Sequence, residues 1–364
     1  VSGLHPVLRR HDDARAVAIT GGCGFIGSNL AASLLGDGER VVLIDNLSRP
    51  GVEQNLAWLA ATYPDRLRAD NVDVRDADAL RAALDGARAV FHLAAQTAVT
   101  TSLEQPVEDF EVNARGTVNL LEAVRASRRR IPVIFASTNK VYGNLADVAV
   151  IDMGTHRRPV DAALAAQGVS ESRGLDFSTP YGCSKGVADQ YVLDYAHSYG
   201  LPTAVLRMSC IYGPRQFGTE DQGWVAHFLL SALSGHPIRI YGDGTQVRDV
   251  LHVEDAVAAY RLLLANIELL KGRAFNLGGG PGNAVSLNQL LAEIGDMLGR
   301  SVRTEGGAWR QGDQLYFVAD TRALEAATGW RPRIGWRDGV RGLARWLAEN
   351  RLGRRLQQRA RISA

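Results

Sequence analysis

Residues 20–30 read TGGCGFIGSNL, directly after the apolar run AVAIT and at the start of a stretch of helical character. Gly21, Gly24 and Gly27 stand three residues apart. This spacing lets a chain turn sharply at a strand end, approach a pyrophosphate with bare backbone, and pack the following helix closely on its sheet. The start of that helix offers amides and the positive end of a dipole to phosphate oxygens. Glycines at a strand end also fit a plain turn, so a second feature is needed. About 20 residues on, at the spacing of a ribose ligand, the run VVLID ends in Asp45. A carboxylate there accepts the 2' and 3' hydroxyls of an adenosine ribose and repels a 2'-phosphate, which selects NAD over NADP. Arg49 is the nearby cation that opposes this preference.

The 364 residues, 46% hydrophobic and 22% charged, suffice for two lobes at roughly 150 residues per domain. A formal net charge of +2 lacks the basic excess that collects nucleic-acid phosphates, so no nucleic-acid partner is expected. The basic ending RLGRRLQQRARISA reads as a solvated helix end. Cys23, Cys183 and Cys210 are scattered, with no spacing for a disulfide framework or a metal site, and fit a reducing cytoplasm. The opening VSGLHPVLRRHDDAR lacks the apolar core of a signal peptide. No run reaches the ~20 apolar residues of a membrane span, so no membrane partner is expected.

Val/Ile/Ala-rich runs (AVAIT, VVLID, LRADNVDV, AVFHLAA, IPVIFAST, LPTAVLRMSCIYG, RAFNLGGG) alternate with amphipathic stretches. That alternation predicts βαβ units and a mostly parallel sheet covered on both faces, with ligands at the carboxyl ends of the strands. The polar motifs follow the apolar runs accordingly: Asp73 and Val74 the third, HLAAQTAV the fourth, STNKVYG the fifth. The texture changes beyond Tyr212, and a second lobe built from interleaved segments is expected. Its boundaries are read as 15–210 with 247–280 for the dinucleotide domain, 211–246 and 281–350 for the second lobe, and 1–14 and 351–364 as flexible termini.

YGCSK, Tyr181 to Lys185, follows Thr179 and Pro180 at an expected helix start. Four residues apart on a helix, Tyr181 and Lys185 share a face. An ammonium, together with a positive nicotinamide ring, favours phenolate over phenol and draws the tyrosine down from its reference pKa of about 10. Tyr181 is then expected to act as a base near neutrality, taking a proton from a sugar hydroxyl as the carbon beneath delivers hydride to NAD. Thr138, at the end of the fifth run, would converge on the same hydroxyl. A surface helix pair and a simple strand-end turn at Ser137 and Thr138 are the plainer alternatives.

Taken together, TGGCGFIG, DVRD, HLAAQ, STNKVYG, YGCSK and RDVLHVEDA resemble the extended short-chain dehydrogenase/reductase superfamily, and within it the nucleotide-sugar epimerases and dehydratases. The resemblance spans residues 16–346. DNLSRPG with NLAWL, AVTTS, STNKVYG, LDFSTPYGCSKGVADQYVLDYA, YGPRQFGTEDQGW and GTQVRDVLH are similar to the subgroup of CDP-paratose 2-epimerases, also called CDP-tyvelose epimerases. The resemblance implies a Rossmann-type doubly wound parallel sheet, an α/β fold, with a second, smaller interleaved α/β substrate lobe.

It also implies residue roles. Gly21, Gly24, Phe25, Ile26 and Gly27 would hold the NAD pyrophosphate, Asp45 and Asn46 the adenosine ribose, Asp73 and Val74 the adenine, and Ala94, Ala95 and Gln96 the middle of the cofactor. Lys185 would bind the nicotinamide ribose beside Tyr181, the acid/base, and Asn113 would prop the helix and sheet around Thr138 on the cofactor side. Thr138, Asn139, Lys140, Cys210, Arg248 and Arg310 are assigned to the substrate, the two arginines to its diphosphate. Many relatives carry Asn where this chain has Cys210, a departure that the 2-epimerase subgroup shares. Dehydratases place an Asp-Glu pair where Asn139 and Lys140 stand, so loss of water would lack its acid.

The expected reaction is inversion at C2 of a CDP-hexose through a transient 2-keto sugar, with hydride returned from the same NADH. A C4-epimerase of a UDP- or GDP-sugar and a net NAD-dependent oxidoreductase remain alternatives. A homodimer or homotetramer is implied through GVADQYVLDYA, whose amphipathic face serves equally well as intramolecular core.

Overall fold

The computed structural model describes residues 16–310 and 312–362, with side chains as far as Asn350. The expected flexible segment 1–14, and the side chains of 351–364, lie outside the described residues; the backbone of the last helix runs to Ile362. Two compact units are present.

The first unit is built on seven short strands: β1 (Val17–Thr20), β2 (Val41–Ile44), β3 (Leu67–Asp70), β4 (Ala89–His92), β5 (Val133–Thr138), β6 (Thr203–Met208) and β7 (Ala274–Leu277). They form one sheet in the order β7-β6-β5-β4-β1-β2-β3. Every residue of β1, β2, β4 and β5 is buried. Such continuous apolar runs, rather than alternating ones, are what a sheet covered on both faces requires. β1 is parallel to both neighbours, with Val17 opposite Val41 of β2 and Ala89 of β4. The strand order reverses between β1 and β4, and the crevice of a doubly wound sheet opens at that switch point, at the carboxyl ends of the strands.

Helix α1 (Phe25–Gly36) covers the sheet with Gly27, Ser28, Leu30, Ala31, Leu34 and Leu35, residues on one helical stripe. Leu120, Val133, Phe135, Val192 and Val205 continue the core. Two further helices, α2 (Pro106–Phe110) and α3 (Gly116–Ala126), are joined by one π-helical turn, Glu111–Arg115. The long helix α4 (Thr179–Tyr199) packs in the same unit and ends on Gly200 in the left-handed conformation.

The second unit gathers Tyr142–Asp176, Met208–Ala256 and the chain from Asn276 onward. Its core lies among helices α5 (Trp224–Ser234), α6 (Leu287–Leu298) and α7 (Trp336–Ile362), filled by Phe228, Leu229, Leu290, Ile294, Val340 and Leu343. Ser286 and Gln289 form a capping box at the start of α6, satisfying two helix-end donors. Strand Val247–His252 pairs with Ala284–Ser286, Tyr316–Phe317 and Cys210–Tyr212, and Ile238–Tyr241 with Thr304–Gly307.

The division differs from the expected boundaries. Residues 142–176 and the strand carrying Arg248 belong to the second unit, while Val257–Phe275 belongs to the first. The cause is long-range pairing: Arg157 N donates to Thr245 O at 2.9 Å, Ser286 Oγ to Thr155 O at 2.6 Å, and Val169 bridges Ala319. No described helix is long and apolar enough to cross a membrane.

A Cβ on Gly27 would stand 2.4 Å from the Gly21 carbonyl oxygen and 2.8 Å from Gly22 Cα, both backbone atoms that cannot swing aside. Gly27→Ala is therefore expected to cost about 1–3 kcal/mol of stability and to strip dinucleotide from the purified protein. Thermal unfolding and the 260/280 nm absorbance ratio check this; an unchanged melting temperature with unchanged dinucleotide content contradicts it.

Candidate active site

Gly21 has φ +65°, and a Cβ there would lie 2.7 Å from Ala94 N and 2.8 Å from the Leu93 carbonyl carbon. The turn after β1 thus presses on the backbone after β4, and only glycine fits. Gly24 N donates to Gly21 O at 3.1 Å, closing the turn. Gly24 caps α1 with no side-chain hydrogen bond, so the first-turn amides, Phe25 to Gly27, are left without the intrahelical acceptors that later residues enjoy. This bare, positively polarised cradle is the shape and charge a pyrophosphate requires.

The Asp45 carboxylate accepts from Cys23 N at 3.0 Å and Leu47 N at 2.9 Å. The first of these fastens it to the glycine turn. Burial raises its proton affinity and the two amides lower it. Asn46 Nδ2 donates to Asp73 Oδ2 at 2.9 Å, linking the segments after β2 and β3. Arg75 grips Asp73 through Nε and Nη2 and holds its carboxyl down at about 2. Val74 is buried against Gly116, where a Cβ would come within 2.6 Å of its Cγ2. The Ala94 amide lies 3.3 Å from Thr20 Oγ1. Gln96 donates from Nε2 to Ala98 O at 2.9 Å, and Ala95 lies between these two anchored residues. The glycine cradle and the carboxylate fastened to it fit a dinucleotide.

Asn113, expected to prop the helix and sheet around Thr138, is buried. Its Oδ1 accepts from Gln96 N at 2.9 Å, and its Nδ2 donates to Gln96 O, Asp109 Oδ1 and Ser184 Oγ. The π-helical turn places it there, a distortion that tends to occur at functional sites. It therefore braces α4 and the segment after β4.

β5 ends in Thr138, and the start of α4 brings Tyr181 to it. Thr179 has φ +65° ahead of Pro180, an unusual conformation for a β-branched residue. Its Oγ1 accepts from Gly182 N at 3.3 Å and caps the first turn. Tyr181 and Lys185 are both buried on one helical face, as their spacing predicts. Thr138 hydrogen-bonds the Tyr181 phenol and accepts from Lys140 N at 3.2 Å. Lys185 Nζ donates to Ala136 O at 2.6 Å and lies 4.1 Å over the Phe135 ring, so it ties α4 to β5. Ser137 has a structural part: its Oγ donates to Asp189, which is buried in an ion pair with Arg207.

Burial pushes Tyr181 up to about 12, against the hydrogen bond from Thr138 and with the charge of Asp109. Burial also brings Lys185 down to about 7, against Asp189 and Asp109. Desolvation thus dominates in the protein without dinucleotide; the expected fall toward neutrality calls for a positive nicotinamide ring together with Lys185. Asn139 is buried and Lys140 half-buried on the 3-10 turn Asn139–Tyr142.

In the second unit, Arg248 Nη2 donates to Asp313 Oδ1 at 2.6 Å and Nη1 to Val247 O at 2.8 Å. Its neighbour Asp249 is fully buried, accepts from Ser209 Oγ and Gly280 N, and is pushed up to about 6 by that burial. Arg310 lies 4.0 Å over the Tyr241 ring and 3.2 Å from Asp221. Both arginines are thus carboxylate-paired, and a diphosphate would compete with Asp313 and Asp221. Cys210 is half-buried on its short strand. Sequence reasoning passed over Asp109 and Ser184, which join Asn113; the helical i,i+4 step from Asp109 to Asn113 was the available signal.

Tyrosinate absorbance of the protein minus that of Tyr181→Phe is expected only above about pH 11 without NAD, because raising a phenol's pKa delays its ionisation. NAD saturation should move it to lower pH. A component titrating near pH 7 without NAD contradicts this.

Comparison with known proteins agrees with this geometry. The model of the NAD dependent epimerase/dehydratase family matches residues 17–278. A CDP-paratose 2-epimerase of Salmonella typhi is 43% identical over 91% of this chain and 98% of its own length. A UDP-glucose 4-epimerase of Mycolicibacterium smegmatis is 32% identical over 88% of this chain and 95% of its own. The crystal structure of Thermus thermophilus UDP-glucose 4-epimerase complexed with NAD superposes with a TM-score of 0.76, at 32% identity, over 91% of this chain and 98% of that one. With the glycine cradle, Asp45 and the Thr138–Tyr181–Lys185 group in place, the chain belongs to the NAD-dependent epimerase/dehydratase family of extended short-chain dehydrogenases/reductases, and its cofactor is NAD.

Proposed function

We propose that this NAD-dependent nucleotide-sugar epimerase inverts C2 of a CDP-hexose of the CDP-paratose/CDP-tyvelose type through a 2-keto sugar. The observation that carries the choice is the similarity to a CDP-paratose 2-epimerase along nearly the whole of both chains. The residues after Thr138 support it. Asn139 and Lys140 offer no carboxylic acid to protonate a leaving hydroxyl, so elimination of water lacks its proton donor and reversible oxidation is the reaction left.

NAD, when bound, supplies the acceptor and donor of hydride. Tyr181, as phenolate, takes the proton of the C2 hydroxyl, while Thr138 hydrogen-bonds the same oxygen. The charge of Lys185 favours the phenolate. The ketone carbon is planar and can be reduced from either face. Arg248 and Arg310 suit a diphosphate because a guanidinium fork matches two phosphate oxygens. With the nucleotide so held, rotation of the hexose presents the opposite face, and Tyr181 returns the proton to the carbonyl oxygen. Lys140 is assigned to orienting a sugar hydroxyl or polarising that carbonyl.

Proton NMR of the purified protein, without added NAD, incubated with CDP-, GDP- and UDP-hexoses including CDP-paratose, tests the proposal. Inverted H2 couplings on a CDP-sugar are expected. Inversion at C4, or turnover only with stoichiometric NAD, contradicts it. Tyr181→Phe should lower turnover by at least ~100-fold, the usual contribution of a general acid/base, with NAD still bound; full activity in that variant removes the base assignment.

A further inference from the structure

Trp309 is the one tryptophan among the described residues that stands exposed, at 46% of its surface; Trp330 and Trp336 are buried. Nothing in the chemistry described so far employs it. Its place is set by two parallel strands of the second unit. Ile238–Tyr241 runs beside Thr304–Gly307 with Tyr241 opposite Gly307, and Gly242 N donates to Gly307 O at 3.0 Å. The two strands therefore end at the same level, and the chain leaving the second folds back over the end of the first. The Arg310 guanidinium lies 4.0 Å over the Tyr241 ring. The indole lies against the backbone of Gly242, where a Cβ would come within 2.7 Å of Trp309 Cδ2. Two consecutive side chains thus rest on two consecutive residues, side by side.

The floor beneath them is stiff. Gly242 has φ +81°. Asp243 Oδ1 accepts from Thr245 N at 2.9 Å and Thr245 Oγ1 at 2.6 Å, and Arg157 reaches both residues, through Nη2 to Asp243 and Nε to Thr245. The Arg157 guanidinium stands 5.8 Å from the indole centroid, at the outer limit of a cation–π contact. It steadies the ring and leaves nearly half of its surface open. Arg310 is steadied in turn by Asp221 and the Glu220 carbonyl, each at 3.2 Å. A ring ordered before its ligand arrives loses little freedom on binding.

A nucleotide carries a flat ring one ribose away from its diphosphate. With the diphosphate at Arg310, the base of the same nucleotide comes within reach of the adjacent residue, and a base laid on an open indole takes two apolar faces out of water. We infer that Trp309 is the platform on which the nucleobase of the substrate stacks. The nucleotide is then anchored at its base as well as at its diphosphate, and the hexose is the part left to turn. The inference rests on the diphosphate lying at Arg310, as in the proposed function. Stacking tolerates any base, so Trp309 selects a nucleotide over bare phosphates rather than cytosine over uracil.

The test is isothermal titration of the purified protein with CDP and with inorganic pyrophosphate, which offers two phosphates and no base. Trp309→Ala is expected to weaken CDP about tenfold, within the range of a base–aromatic stack, and to leave pyrophosphate and the 260/280 nm ratio of bound dinucleotide unchanged. Trp309→Phe, which keeps a flat ring, should recover most of the CDP affinity. Indole emission of the protein minus that of Trp309→Phe should be quenched by CDP and not by pyrophosphate. Unchanged CDP affinity in Trp309→Ala, an equal loss for both ligands, or emission that CDP leaves unmoved overturns the inference, because a side chain that only props Arg310 affects the two ligands alike. The titrations need no sugar. The expected losses without inversion at C2 of any CDP-hexose would sink the functional reading alone, and inversion at C2 with CDP binding untouched by Trp309→Ala would sink this inference alone.

Discussion

The hydrogen bond from Lys185 to the Ala136 carbonyl joins what the fold provides to what the chemistry needs. A lysine buried to this degree gives up hydration, and the carbonyl and the Phe135 ring replace only part of it. In return, the helix that carries Tyr181 is fastened two residues before Thr138, at the end of the strand. Without that bond, α4 would lose one of the ties that hold Tyr181 beside Thr138. The left-handed Thr179 and the Asn113–Ser184 bond fix the same helix from its start and its flank.

Burial also explains why the cofactor is more than a hydride carrier for these residues. In a low-dielectric interior, both the phenolate and the ammonium are disfavoured, so Tyr181 is held near 12 and Lys185 near 7. A positively charged nicotinamide ring held beside them would favour the phenolate and discourage the ammonium. The pair becomes useful near neutrality only if some negative charge keeps the lysine protonated. Dinucleotide binding would therefore strengthen Tyr181 as a base through charge.

What could be read from the sequence was local. The glycine turn, Asp45 after the second apolar run, and Tyr181 with Lys185 at helical spacing each lie within one supersecondary unit, where steric rules and periodicity act directly. The alternation of apolar runs likewise carried the parallel sheet, because strands covered on both faces are apolar along most of their length. The features that escaped depend on groups far apart in the chain. Asp109 meets Ser184 across 75 residues and Arg248 meets Asp313 across 65. Residues 142–176 join the second unit through Thr245, Ser286 and Ala319. Nor could spacing give the proton affinity of Tyr181, which is set by how deeply the folded chain buries it.

The central claim is that one carbon is oxidised and re-reduced from its other face by a single retained cofactor. The most direct test is a CDP-hexose deuterated at C2, incubated with the protein as purified in ordinary water with excess unlabelled NAD. The account predicts inverted product with deuterium still at C2. Loss of the label to solvent, as removal and return of a proton at C2 would give, contradicts it. So does transfer of the label into the added NAD, or inversion at another carbon while C2 keeps both its label and its configuration.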